Sequence, residues 1–224
     1  MRWAAIAAAV AQCALPSGAA ALDLSRNPER SFLVGFSLGA GSDLGREARR
    51  STDGRTVYGE TGFLFGLHAA FRFNEVVGVS TGLGQCRHPA LEDWGGAAGY
   101  TLGDVALRLA IPTPSRQTIV VEVGPAIGEF FYGSVNGAED SGTLAVGGRG
   151  AVELEHELAP GFVAVAGVEY RPLWRRGMGA LYLTERDPYE ESDPVLVDIV
   201  DLGGARLVHL VWVRLALQFE WVIP

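Results

Sequence analysis

The chain has 224 residues, a length suited to one domain, and is 48% hydrophobic, yet beyond its N-terminus it holds no apolar run long enough for a membrane-crossing helix. A formal net charge of −8 argues against nucleic acid as a partner. Glycine, at 30 residues, is too abundant for ordinary helices or strands and calls for close packing, such as the inside of a narrow barrel.

Residues 1–21 read as a secretory signal. Arg2 supplies the charged start, Trp3 to Leu15 is mostly apolar, Pro16 breaks the run, and Ala19-Ala20-Ala21 offers small residues for cleavage. Gln12 precedes Cys13 where a lipoprotein signal wants a small residue, so a lipid anchor is not expected. Removal of this segment leaves Cys86 as the one cysteine of a domain over 22–224, with no intramolecular disulfide.

Period-two alternation then recurs along the chain. The first strand, Ser31 to Gly41, sets Phe32, Val34, Phe36 and Leu38 against Leu33, Gly35, Ser37 and Gly39. A polar loop, Ser42 to Gly59, carries Arg46, Arg49, Arg50 and Arg55. The second strand, Thr61 to Asn74, lines up Phe63, Phe65, Leu67, Phe71 and Phe73 opposite Gly66, His68, Ala70 and Arg72, and a tight turn follows at Asn74-Glu75. The third runs from Val77 to Arg87, and a glycine-rich loop, His88 to Gly99, follows. The fourth, Tyr100 to Ile111, opposes Val105, Leu107 and Leu109 to Asp104, Ala106 and Arg108, and Pro112 to Gln117 makes a short turn. The fifth covers Thr118 to Gly133, with Pro125 predicting a bulge or local break; a loop spans Ser134 to Ser141. The sixth is Gly142 to Leu158, and Ala159-Pro160-Gly161 turns into the seventh, Phe162 to Trp174, whose first half is apolar on both faces. Arg175 to Gly204 is the longest loop. Within it, Leu181-Tyr182-Leu183 and Val195-Leu196-Val197 suggest that the strands on either side extend as a hairpin. The eighth strand, Arg206 to Trp221, alternates Val211, Val213, Leu215, Leu217, Phe219 and Trp221 with Arg214, Ala216, Gln218 and Glu220.

Eight strands with connections that alternate long and short describe an up-and-down barrel whose turns gather at one rim and whose loops gather at the other. That segregation is characteristic of bacterial outer-membrane barrels, in which turns face the periplasm and loops face outward. The residues between the apolar positions agree. The inferred lumen face holds Arg72, Arg108, Arg149, Arg171 and Arg214 together with Asp104, Glu122, Glu153, Glu155, Glu169 and Glu220. Charges removed from water persist only when paired, and an eight-stranded barrel is barely wide enough for its own side chains. The expectation is a salt-bridged lumen, with Gly and Ala where two long side chains cannot both fit.

On these residues the chain, over about 31–224, resembles the OmpA-like superfamily of small outer-membrane barrels. The run Arg214-Leu215-Ala216-Leu217-Gln218-Phe219-Glu220-Trp221 is similar to the C-terminal signal read by the barrel assembly machinery, departing in Ala216 for the usual Gly and in the trailing Val222-Ile223-Pro224. The resemblance implies an all-β, eight-stranded antiparallel transmembrane barrel in the outer membrane of a Gram-negative bacterium. It also implies the assembly machinery, outer-membrane lipid and lipopolysaccharide as partners. The peptidoglycan-binding domain of the larger members has no room here.

The candidate chemistry is thin. Glu153 and Glu155 share a strand face with Cα atoms about 6–7 Å apart, a spacing open to acid–base work but better explained as partners for lumen arginines. Cys86 and His88 lack further metal ligands nearby in sequence. His68 reads as a hydrogen-bonded interior histidine. His209 lies near the outer end of the last strand without the neighbouring Ser or Glu of a lipid-modifying enzyme. The last loop gathers Glu185, Asp187, Glu190, Glu191, Asp193, Asp198 and Asp201, oxygen ligands suited to divalent cations, in a spacing that matches no cation-loop motif. The reading therefore assigns no catalytic, cofactor-binding or metal-binding residue and no cofactor. It expects a non-enzymatic surface or structural barrel. The alternatives are a narrow channel for small solutes or ions, a lipid-modifying enzyme, and a soluble lipocalin-like barrel with the two faces exchanged.

Overall fold

A computed structural model describes residues 30–43, 61–89, 96–113, 117–134, 141–177, 180–185, 195–201 and 204–223. The proposed signal at 1–21, the arginine-rich loop and the acidic stretch 186–194 lie outside the described residues, as do the side chains of Glu185, Asp198 and Asp201.

Alternation along each segment generates a wall with two unlike faces, and closure of that wall leaves no open edge. The strands are β1 (Arg30–Asp43), β2 (Thr61–Arg72), β3 (Val77–Pro89), β4 (Gly96–Pro112), β5 (Gln117–Ser134), β6 (Ser141–Ala159), β7 (Phe162–Arg175), β8 (Ala180–Glu185), β9 (Val195–Asp201) and β10 (Arg206–Ile223). Eight of them close into a barrel in the order β1-β10-β7-β6-β5-β4-β3-β2, with every neighbouring pair antiparallel. β8 and β9 form a separate two-stranded sheet between β7 and β10, in register Leu181↔Val200 and Tyr182↔Ile199.

The short turns are built from local chemistry. Asn74 Oδ1 accepts the backbone N–H groups of Val76 and Val77 at 2.9 and 2.7 Å, which folds the β2–β3 turn around one side chain. Thr113 closes the β4–β5 turn onto the Gln117 carbonyl through its N–H and its hydroxyl, both at 2.8 Å. Pro160 and Gly161 make the β6–β7 turn. Gly161 has φ 81°, the left-handed value that a third turn position after proline demands and that a side chain would oppose.

Two loops are shorter than the sequence pattern suggested. β3 and β4 continue pairing through His88↔Ala98 and Pro89↔Ala97, and β5 meets β6 as far out as Tyr132↔Ser141. Glycine and alanine there weaken the alternation without breaking the ladder. Pro125 breaks pairing as expected but makes no bulge. Val105 and Ala106 of β4 drop out of the ladder opposite Gly124 and Pro125, and the same register resumes on both sides, because proline has no N–H to give. The register shift lies instead at Glu157/Ala159, beside the Pro160-Gly161 turn.

The faces are sorted opposite to those of a water-soluble protein. Phe63 and Leu215 are 65% and 62% exposed on the outer wall, while Arg108, Arg149 and Arg214 are 0%, 2% and 5% exposed inside. A lipocalin-like barrel requires the reverse, so that alternative fails. Aromatic side chains cluster at the short-turn end on β1, β7 and β10. Phe32 lies 6.2 Å from Trp221, Phe162 5.1 Å from Phe219, and Phe219 4.3 Å from Trp221, centroid to centroid. Phe63, Phe65, Tyr170 and Trp174 stand outward toward the loop end. An apolar band flanked at both ends by outward aromatic side chains is the wall that a bilayer solvates.

Candidate functional site

The lumen gathers the charged residues that alternation places on its face. Arg149 of β6 is the hub. Its Nε donates to Glu169 Oε2 at 2.7 Å and its Nη1 to Glu122 Oε2 at 2.5 Å. Asp104 and Glu153 lie 3.5 and 3.6 Å from the same guanidinium. From Glu169 the network passes to Arg171 at 2.5 Å and on to Asp104 at 2.7 Å. From Glu122 it passes to Arg108 at 3.1 Å and then to Glu155, which also holds Arg72 at 2.6 Å. Arg72 ends the chain on Glu220 at 2.7 Å, where the Ser31 hydroxyl also donates.

Arg214 pairs with Glu153 across an intervening strand, and the register explains how. Glu153 of β6, Gly167 of β7 and Arg214 of β10 form one cross-strand row. A Cβ on Gly167 would come within 2.8 Å of Glu153 Cγ, so glycine there gives the two long side chains room to meet. All five arginines and six carboxylates placed on the lumen face by sequence take part. Most are nearly dry, and pairing offsets the desolvation that would otherwise expel them. His68 is buried, its Nδ1 3.1 Å from the Gln218 amide and its Nε2 3.6 Å from Glu122.

Toward the loop end the interior changes character. Leu64, Cys86, Tyr100, Leu102, Phe130, Leu173, Val208, Leu210 and Trp212 form a buried apolar cluster within the barrel. Tyr100 and Phe130 pack at 4.9 Å. Arg171 lies 5.8 Å from the Trp212 ring, and Arg175 lies 4.9 Å over Phe130, so arginines join the charged layer to the apolar one. This cap is what the sequence reading missed. Its signal was present: Val208, Leu210 and Trp212 make the lumen-facing positions at the start of the eighth strand apolar, and Arg175 continues the inward alternation of Arg171 and Leu173 by one step. At the junction, a void of about 20 Å³ lined by Ser37, Asp104, Glu169, Arg171 and Arg214 has room for a single water.

The remaining candidates resolve accordingly. Glu153 and Glu155 are bound to different arginines and face no open space as a pair. Cys86 belongs to the apolar cap, and the His88 side chain lies outside the described residues. Among the described residues no group of three or more His, Cys, Asp and Glu has metal-holding geometry. His209 does have a partner that the sequence did not suggest: the Tyr170 hydroxyl, 2.7 Å from its Nδ1.

No family model matches the chain, and no curated protein matches it. Solved structures do. Neisserial surface protein A matches at 12% identity with a TM-score of 0.50, over 85% of this chain and 97% of that one. The chain has the fold of a small outer-membrane β-barrel. The outer membrane protein OprG from Pseudomonas aeruginosa, at 13% identity and a TM-score of 0.49, is matched over 88% of this chain and 98% of its own. The attachment invasion locus protein Ail of Yersinia pestis, at 15% identity and a TM-score of 0.49, is matched over 87% of this chain and 99% of its own. The resemblance to the OmpA-like small barrels thus holds at the level of the fold.

Proposed function

We propose that this chain is a non-enzymatic outer-membrane barrel whose lumen stays closed and whose loops carry a structural or surface-interaction role. The observation that carries the reading is the double filling of the interior, an ion-paired layer beneath an apolar cap, with a junction void of about 20 Å³. A conducting pore needs a continuous wet path, and a hydrolase needs convergent reactive groups at an accessible surface. The charged groups inside are spent on one another. The acidic last loop, with divalent cations as candidate ligands, and lipopolysaccharide as the surrounding lipid complete the proposal.

Planar-bilayer recording of the folded protein tests it. The closed lumen gives no discrete conductance steps above the bare-membrane baseline. Reproducible steps would favour the narrow-channel alternative and overturn the reading.

A further inference from the structure

The pair formed by Tyr170 and His209 faces away from the lumen, on the outer wall. Its ring centroids are 6.0 Å apart and its planes differ by 11°, so the two side chains stack as well as bond. Its height follows from the register. Phe219 sits opposite Phe162 in the aromatic cluster at the short-turn end, and His209 is on the same strand nearer the loops. Ten residues of a strand tilted by about 40° climb roughly 25 Å, the height of the apolar band of such barrels. His209 therefore stands at the outer hydrocarbon boundary, beside Leu207 and Trp174, which pair across the same two strands and are about half exposed.

A polar pair at that depth has a defined capacity. A neutral imidazole carries one N–H and a phenol one O–H, and the bond between them uses one of these two hydrogens. The other is left for an acceptor, whichever tautomer is present. Trp174 adds an indole N–H, a donor only, one cross-strand step toward the loops. Val168 and Val213, which pair one step nearer the short turns and are about half exposed, offer an apolar wall to hydrocarbon just below. Donors above an apolar floor suit a ligand with acceptor oxygens on an acyl-chain anchor.

We propose that Tyr170, His209 and Trp174 form a binding site on the outer wall for the phosphate oxygens of an outer-leaflet glycolipid headgroup. The site presupposes the membrane-spanning reading and adds a ligand on the outer wall of the barrel. It transfers no group and breaks no bond.

Full-length folded protein carrying ¹⁵N-histidine, in detergent micelles, provides the test, with the His209 ring resonances identified by their loss in His209→Asn. Titration with bis-phosphorylated lipid A shifts those resonances saturably. The dephosphorylated glycolipid binds about tenfold more weakly or worse, and Tyr170→Phe, which removes the bond that holds the imidazole in place, weakens binding of the phosphorylated form by about tenfold. Equal response to both lipids, or affinity unchanged in Tyr170→Phe, overturns the proposal. Heat-modifiable gel mobility of each variant reports the folded barrel independently, so loss of the headgroup site and failure of the membrane reading give different results.

Discussion

At the scale of single residues, the interior is decided by the cost of an unpaired charge. Arg149 faces Glu122, Glu169, Asp104 and Glu153 at once. Its removal leaves carboxylates in a space that excludes water, whereas Arg72 stands nearer the rim and is partly exposed. Arg149→Met is therefore expected to destabilise the folded barrel by about 3–5 kcal/mol, and Arg72→Met by about 1 kcal/mol. Urea unfolding in lipid vesicles, followed by tryptophan fluorescence, measures both. Equal effects would show that depth in the lumen does not govern the network. The membership of this network was legible from alternation, since period two assigns a face to each charge. Which arginine meets which carboxylate was not legible. Pairing depends on the stagger between strands, and the Glu153–Gly167–Arg214 row exists only in the closed sheet.

At the scale of the strand, the outer face is set by the solvent it meets. Leu215 lies near the middle of β10 and Leu207 near its loop end, both turned outward. Arginine at the bilayer midplane of such a barrel costs about 2–4 kcal/mol and at the interface about 0–1 kcal/mol. Leu215→Arg should shift the unfolding free energy by the larger amount and Leu207→Arg by the smaller, in the same vesicle assay. A water-soluble barrel would tolerate both alike. Strand positions were readable because each carries its own alternation, as in β2 and β10. Their ends were less so. Gly99 and Ala98 carry too little hydrophobic contrast to mark a strand, yet their backbone pairs with β3. Val163 and Val165 blurred the seventh strand because both point inward to a buried apolar position. A lumen is not uniformly polar, and its apolar layers imitate the outer wall in the sequence.

At the scale of the molecule, the barrel is a sheet whose two sides are addressed to different media. The arginines and carboxylates satisfy one another within, the apolar band faces out, and the short turns and long loops divide the two rims. Eight strands, their order and the sorting of faces followed from the sequence because closure leaves few other ways to satisfy every backbone group in hydrocarbon. The apolar cap did not follow, because β10 supplies three of its residues, Val208, Leu210 and Trp212, while β2 to β7 give one or two each, and only closure brings them into one layer.

The most direct test is a depth profile along β10 by spin labelling. In a background lacking Cys13 and Cys86, single cysteines at Val211, Val213, Leu215, Leu217 and Phe219 carry nitroxides in protein reconstituted into lipid vesicles. Hydrocarbon around the wall gives high collision rates with oxygen and low rates with a water-soluble nickel chelate, greatest in contrast near Val213 and Leu215 and falling toward both ends. Ready access of the nickel chelate to Leu215 would contradict the account.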